Sequence, residues 1–258
     1  MQVKSKPKQN VYQILILFEC TNYSPYSLES ITELAASLDA VIHGLYIEDQ
    51  DLLNAVELPF VREIEYHTAN VRQTNRRQMQ QQLLKYSEKI KNLLQAQAGL
   101  SRVTATFSSV SGHRLSAIEQ HISGAQLVLL PAYESLLSKN QNRQNLHRNS
   151  TSDYIAVVYD TSPASERCLN TAISIARVTG IELLVLSNTR EIVLLLDQQD
   201  VKHTLVKTDV NQSEWVFPVL KQYVPKLLVI PASSQLLQQQ HYLQQHINRF
   251  NYDVMIVR

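Results

Sequence analysis

Five groups of residues are of types that could do chemistry. Glu48, Asp49 and Asp51 gather three carboxylates within four positions, a set able to hold a divalent cation or to share acid–base work. Acids directly ahead of Leu52-Leu53 also suit the charged start of a helix, and no partner base is placed by spacing, so we read them as a helix start. Ser111-Gly112-His113-Arg114 combines a glycine, cations and free amides ahead of a helical pattern, which can hold an anion. A plain strand-to-helix turn explains the same four residues. Asp160, Ser162 and Ser165 place a carboxylate and two hydroxyls on one short turn, and Asp and Ser are also the usual residues of a turn and a helix N-cap. His241 and His246 are five apart, which misses the i, i+4 spacing of a helical metal pair. Arg62, Arg72, Arg76 and Arg77 fit a solvated polar face. No nucleophile is matched to an ordered base, so no catalytic and no metal-binding residue is assigned and the chain is expected not to be an enzyme.

The elements that must position these groups come in two sets. Leu127-Val128-Leu129-Leu130-Pro131-Ala132 returns one hundred residues later as Leu227-Leu228-Val229-Ile230-Pro231-Ala232. Continuous apolar runs stopped by proline read as strands buried on both faces of a parallel sheet. A shift of 141 lays Ile14-Leu15-Ile16-Leu17-Phe18-Glu19 on Ile155-Ala156-Val157-Val158-Tyr159-Asp160, and the register holds to Tyr46 over Ser187. A duplication of this length means two domains of one fold. Each copy opens strand, helix, strand. In the first, the strands are Val11 to Phe18 and Val41 to Ile47, and the helix is capped by Ser24, with Leu28, Ile31, Leu34, Ala35 and Leu38 on one face. In the second, the helix face is Leu169, Ala172, Ile175 and Ala176, stopped by Gly180 before the strand Ile181 to Leu186. Such units specify parallel strands.

The copies then differ. About fifty residues, 49–98, fill the first crossover and include a long helix striped by Met79, Leu83, Tyr86, Ile90 and Leu94, while about a dozen serve the second. We read the stripe as a crossover helix lying on its own sheet, since a coiled-coil seam needs three to four heptads. Third strands are expected at Val103 to Val110 and Val201 to Thr208, with only a brief helix around Pro218. A helix over Leu236 to Phe250 and a last strand, Val254 to Val257, give five strands in the second copy against four in the first. The polar run 138–152 reads as a linker between domains 1–137 and 153–258.

With 258 residues, 44% hydrophobic content and a net charge of +1, the chain has enough apolar side chains for two cores and no excess charge to neutralise a phosphate backbone. No nucleic-acid or membrane partner is expected. Cys20 and Cys168 occupy different places in the two copies and form no disulfide framework, which suits a reducing cytoplasm.

Asp160-Thr161-Ser162-Pro163-Ala164-Ser165-Glu166-Arg167-Cys168-Leu169 resembles the opening of universal stress protein domains, and Glu19-Cys20-Thr21-Asn22-Tyr23-Ser24 is a weaker echo. Val110-Ser111-Gly112, the strand Leu127 to Pro131 and the terminal Val254 to Arg258 extend the resemblance over nearly the whole chain, as two tandem domains. What it implies is an α/β fold of the adenine-nucleotide α-hydrolase type, two open parallel sheets of strand order 3-2-1-4(-5), each with a crevice between strands 1 and 4. Many members of that family bind ATP through a glycine motif after strand 4. Here those positions read Pro131-Ala132-Tyr133-Glu134 and Pro231-Ala232-Ser233-Ser234, and no glycine follows Gly180. A triphosphate loop needs positive φ angles and bare amides, and proline has no amide proton to give. The expectation is therefore a non-enzymatic stress-response protein without a cofactor, acting by protein interaction or small-ligand sensing. Its partner would be a protein of unknown identity, its halves would pair as an intrachain pseudo-dimer, and a homodimer is the further form. The alternative is a sensor of ATP or AMP in the second-domain crevice, with Asp160, Ser162, Ser165, Ser233 and Ser234 as its contacts.

Overall fold

A computed structural model of the chain describes residues 12–19, 25–64, 70–72, 75–112, 120–121, 124–131, 154–189, 192–238 and 252–258. In the first half the strands are β1 (Tyr12–Phe18), β2 (Ala40–Asp49), the short pair β3 (Glu63–Ile64) and β4 (Val71–Arg72), then β5 (Ala105–Gly112) and β6 (Leu127–Leu130). Helices α1 (Pro25–Ser37), α2 (Gln50–Ala55) and α3 (Arg76–Leu100) lie between them. The second half runs β7 (Tyr154–Tyr159), α4 (Pro163–Thr179), β8 (Glu182–Ser187), α5 (Ile192–Asp197) and β9 (His203–Lys207), then α6 (Ser213–Tyr223), β10 (Leu227–Pro231), α7 (Gln235–Gln238) and β11 (Asp253–Val257).

The main strands make one nine-stranded sheet, in the order β5-β2-β1-β6-β11-β10-β7-β8-β9. Within the first half this is 3-2-1-4, and within the second 3-2-1-4-5, all parallel. The duplication is exact in register: Ile16 faces Gly44 on β2, and 141 residues later Val157 faces Val185 on β8. The halves meet edge to edge, because β11 pairs antiparallel with β6, Met255 opposite Leu129 and Val257 opposite Leu127. Arg258 N–H continues the joint to Gln126 O at 3.0 Å. The fifth strand of the second half therefore borders the fourth of the first, where the first half has no fifth of its own among the described residues.

Both faces of this sheet are buried, as the unbroken apolar runs require. One face carries Ile14, Ile16, Leu127, Leu129, Met255, Val229 and Val157 in a single core covered by α1, α3, α4 and α5. The opposite face carries Leu15, Leu17, Val128, Ile256 and Leu228, covered by Val216 and Leu220 of α6 and by Leu236 of α7. Each core runs through the joint, and α1 packs on α4 across it.

The long helix lies on its own sheet. Leu83, Ser87, Ile90, Leu94 and Ala98 form its buried stripe, and Tyr86 packs on Tyr46 of β2 with ring centroids 6.4 Å apart. Met79, at the helix start, is only half-buried.

Three sequence expectations shift. The third strands begin later than expected, and β5 also ends later, which makes Ser111 and Gly112 ladder residues opposite Glu48 and Asp49. The helix α6 continues through Pro218, because the carbonyl whose bond proline forgoes is that of exposed Glu214, where water can take its place. The sheets of the two halves are fused, where two separate sheets were expected. The Ser24 cap, the 138–152 linker and His241 and His246 lie outside the described residues.

Candidate functional site

The carboxyl ends of β7 and β10, adjacent where the strand order reverses, carry the candidate site. Val157 is opposite Val229, so the parallel register carries Tyr159 to the level of Pro231, and the turns after both strands emerge side by side. On the β7 side the backbone turns sharply through Thr161 at φ +67°. Asp160 Oδ1 accepts the Ser162 N–H at 3.0 Å, and Ser162 Oγ accepts the Ser165 N–H at 3.1 Å. The Ser165 hydroxyl donates to Ser162 O at 2.8 Å and is wholly buried. Ser162 is thus the N-cap of α4 with Pro163 behind it. Burial alone would raise the Asp160 carboxyl, but hydrogen bonds from Ser162 and Ser165 outweigh it and hold the group below the usual carboxylate range. The turn presents a fixed negative charge.

On the β10 side, Ala232 N–H donates to Val257 O at 2.8 Å and Ser234 N–H to Pro231 O at 2.9 Å. Ser234 is buried, and its hydroxyl accepts the Leu236 N–H at 3.3 Å, capping α7. Ser233 is exposed. Of the five sequence candidates, Asp160, Ser162 and Ser165 converge on one turn, and Ser233 and Ser234 sit on the neighbouring one. Three of the five, Ser162, Ser165 and Ser234, use their hydroxyls to build local structure.

In the first half the counterparts are Glu19 after β1 and Pro131 after β6; Ile16 opposite Leu129 carries Phe18, one residue before Glu19, to the level of Pro131. Tyr133 and Glu134 lie outside the described residues. The carboxylates at the end of β2 have structural partners. Asp49 caps α2 by accepting the Asp51 N–H at 2.8 Å, and Glu48 accepts the Ser109 hydroxyl at 3.2 Å. Among the described residues no group of three or more His, Cys, Asp or Glu is placed to hold a metal ion. Of the anion-loop candidates, Ser111 and Gly112 belong to β5, and His113 and Arg114 lie outside the described residues.

Several polar features were not picked out from the sequence. Arg76 does more than solvate α3: it reaches Asn54 at 3.2 Å, Glu57 at 3.3 Å and Gln50 at 3.2 Å, clamping α3 to α2. His43 bonds Thr106 through Nδ1 at 2.8 Å and Ser108 through Nε2 at 3.0 Å. Its only sequence signal is a histidine inside an apolar strand. Two open clefts lie at the amino ends of strands, away from the carboxyl-end crevices. One, of about 480 Å³, is lined by Tyr12, Asp39, Arg102 and Thr104, and the other, of about 680 Å³, by Glu182, Asp197, Lys202 and His203. Cys168 is wholly enclosed beneath the Asp160 turn, and burial pushes its thiol up to about 12, so it is no thiolate at neutral pH.

No family model matches the chain, and no curated protein matches it. Among solved structures, the chain is similar to a universal stress protein from Archaeoglobus fulgidus DSM 4304, at 11% identity over 95% of this chain and 96% of that one, with a TM-score of 0.46. No helix among the described residues is long and apolar enough to cross a membrane.

Proposed function

We propose that this chain is a universal stress protein-like, non-enzymatic stress-response protein of the cytoplasm, acting by protein interaction or small-ligand sensing, with the family's ATP loop lost. The observation that carries the reading is the turn after β10. A loop that wraps a triphosphate aims successive backbone amides outward at it. Here the Ala232 amide closes the β10–β11 ladder, the Ser234 amide closes its own turn, and Pro231 has none to give. The fixed charge of Asp160 on the facing turn adds repulsion toward an anionic ligand. Both arguments disfavour a phosphate tail more than a bare base or a protein segment.

Isothermal titration of the purified chain with ATP, ADP and AMP, together with mass spectrometry for any co-purified small molecule, tests this. The expected result is no nucleotide binding in the micromolar range. Micromolar binding that is lost in Asp160→Ala would replace the reading with an adenine-nucleotide sensor built on the second-half crevice.

A further inference from the structure

The two outer edges of the nine-stranded sheet differ in a way that bears on assembly. On the second-half side, Leu183 N–H donates to Lys202 O while Leu183 pairs with His203. The alternation of a parallel ladder then turns the backbone of His203, Leu205 and Lys207 outward. A two-fold axis through Leu205 would set His203 against Lys207 of a second copy. Short edges that carry a lysine in this way resist pairing.

The first-half edge lacks these features. β5 is eight residues long, Ala-Thr-Phe-Ser-Ser-Val-Ser-Gly, with no charged side chain and no proline. Ile42 N–H donates to Thr104 O at 2.9 Å while Ile42 pairs with Ala105. By the same alternation, Thr106, Ser108 and Val110 bond inward to β2, and the N–H and C=O groups of Ala105, Phe107, Ser109 and Ser111 face outward. Among the described residues no strand pairs with that side.

We infer that β5 is a homodimer edge, joining two copies of this chain as an antiparallel pair about a two-fold axis at Ser108. That axis sets Phe107 against Ser109 of the second copy and Ala105 against Ser111 of the second copy. These are outward-facing residues, and each such pair exchanges both of its backbone bonds. No charge meets its like along the strand. Among the described residues the strand ends are complementary: exposed Arg102 precedes β5, while Glu48 and Asp49 flank its far end opposite Ser111 and Gly112. An antiparallel pair brings each Arg102 toward the other copy's carboxylates, whereas a parallel pair would bring like ends together. The arrangement is isologous and closes at two copies. The chain already joins sheets this way within itself, at β6 and β11.

Sedimentation of the full chain over a range of concentrations tests the inference, with Ser109→Pro and Ser109→Lys as variants. Proline at 109 removes an outward N–H and leaves the β2–β5 backbone bonds in place, lysine adds a charge to the edge, and both variants equally lose the Ser109 side-chain bond to Glu48. The expected result is a dimer for the parent and, in each variant, a dimer dissociation constant raised about tenfold or more, with the monomer's thermal unfolding little changed. If the proline variant does not fold, the lysine variant decides alone. A parent that stays monomeric overturns the inference, whether the edge is vacant or takes a peptide of another protein. So does a dimer equally tight in the variants. The edge is remote from both crevices, so its failure leaves the nucleotide reading standing.

Discussion

Position 44 and position 185 are the same place in two copies of one fold, yet one is glycine and the other valine. Gly44 on β2 and Val185 on β8 both lie beside the first strand of their half, under the second crossover. In the first half that crossover ends in a 25-residue helix, and in the second it is α5, of six residues. A Cβ added at Gly44 would come within 2.6 Å of Leu94 and 2.8 Å of Phe107. The long helix therefore presses onto the strand where the side chain is missing, while in the second half Val185 fills the same volume itself. A duplicated sheet can thus carry different covers if the strand beneath each is cut to fit. The larger cover brings its own fastening in Arg76, which ties α3 to α2.

The comparison breaks first at that contact. Leu94 is wholly buried, and Leu94→Ala should cost about 2–5 kcal/mol. Gly44→Ala should cost about 1–3 kcal/mol by overpacking. The double variant should cost less than the sum, because alanine at 94 removes the nearest of the contacts the new Cβ meets, the one to Phe107 remaining. Urea unfolding of the four proteins measures the coupling. Additive costs would mean that Leu94 and Gly44 do not share the contact, and the glycine would need another explanation.

Much of this was legible in the sequence, and for a physical reason. The shift of 141 survives because strands buried on both faces admit few residue types, so Ile14 to Phe18 and Ile155 to Tyr159 still read alike. The stripe on α3 was legible because helical periodicity is local. The fusion of the two sheets was not, since Val254 to Val257 reads the same whether its second neighbour is a strand of its own half, a strand of the other half or none. Arg76 was hidden because its partners are 19, 22 and 26 residues away, on α2 and the turn that follows it. At the candidate crevice the residue types were legible, but Ser and Asp serve caps and ligands alike. Only the hydrogen bonds showed Ser162, Ser165 and Ser234 engaged in local turns.

A smaller difference sits one residue earlier. His43 occupies the place of Leu184, and its imidazole is held below the ordinary 6.5, by burial first and then by the charge of His121. The unfolded chain then binds this proton more readily than the folded one, so the stability involved is present above pH 6.5 and is lost as pH falls through the folded value. His43→Leu, copying the second half, should narrow the gap between unfolding midpoints measured in neutral and in mildly acidic buffer. An unchanged gap would place the acid sensitivity elsewhere.

The subtlest difference is in the backbone. Asp39 and Gly180 end the equivalent helices α1 and α4, both with left-handed backbones, at φ +50° and +68°. Glycine adopts that conformation without a Cβ penalty, while aspartate tolerates it at some cost. The closing bonds agree, since Gly180 N–H reaches Ala176 O at 2.8 Å but Asp39 N–H reaches only Ala36 O, at 3.4 Å. At Gly180 an added Cβ would meet no atom within 4 Å, so any penalty there is conformational and not steric crowding. Asp39→Gly should therefore stabilise the protein by about 0.5 kcal/mol, the backbone relief being partly offset by the freer unfolded chain, and Gly180→Asp should destabilise it by roughly 1 kcal/mol. Thermal unfolding of the two variants measures both signs. Shifts in the same direction would show that the two helix ends, though equivalent in register, are not under the same constraint.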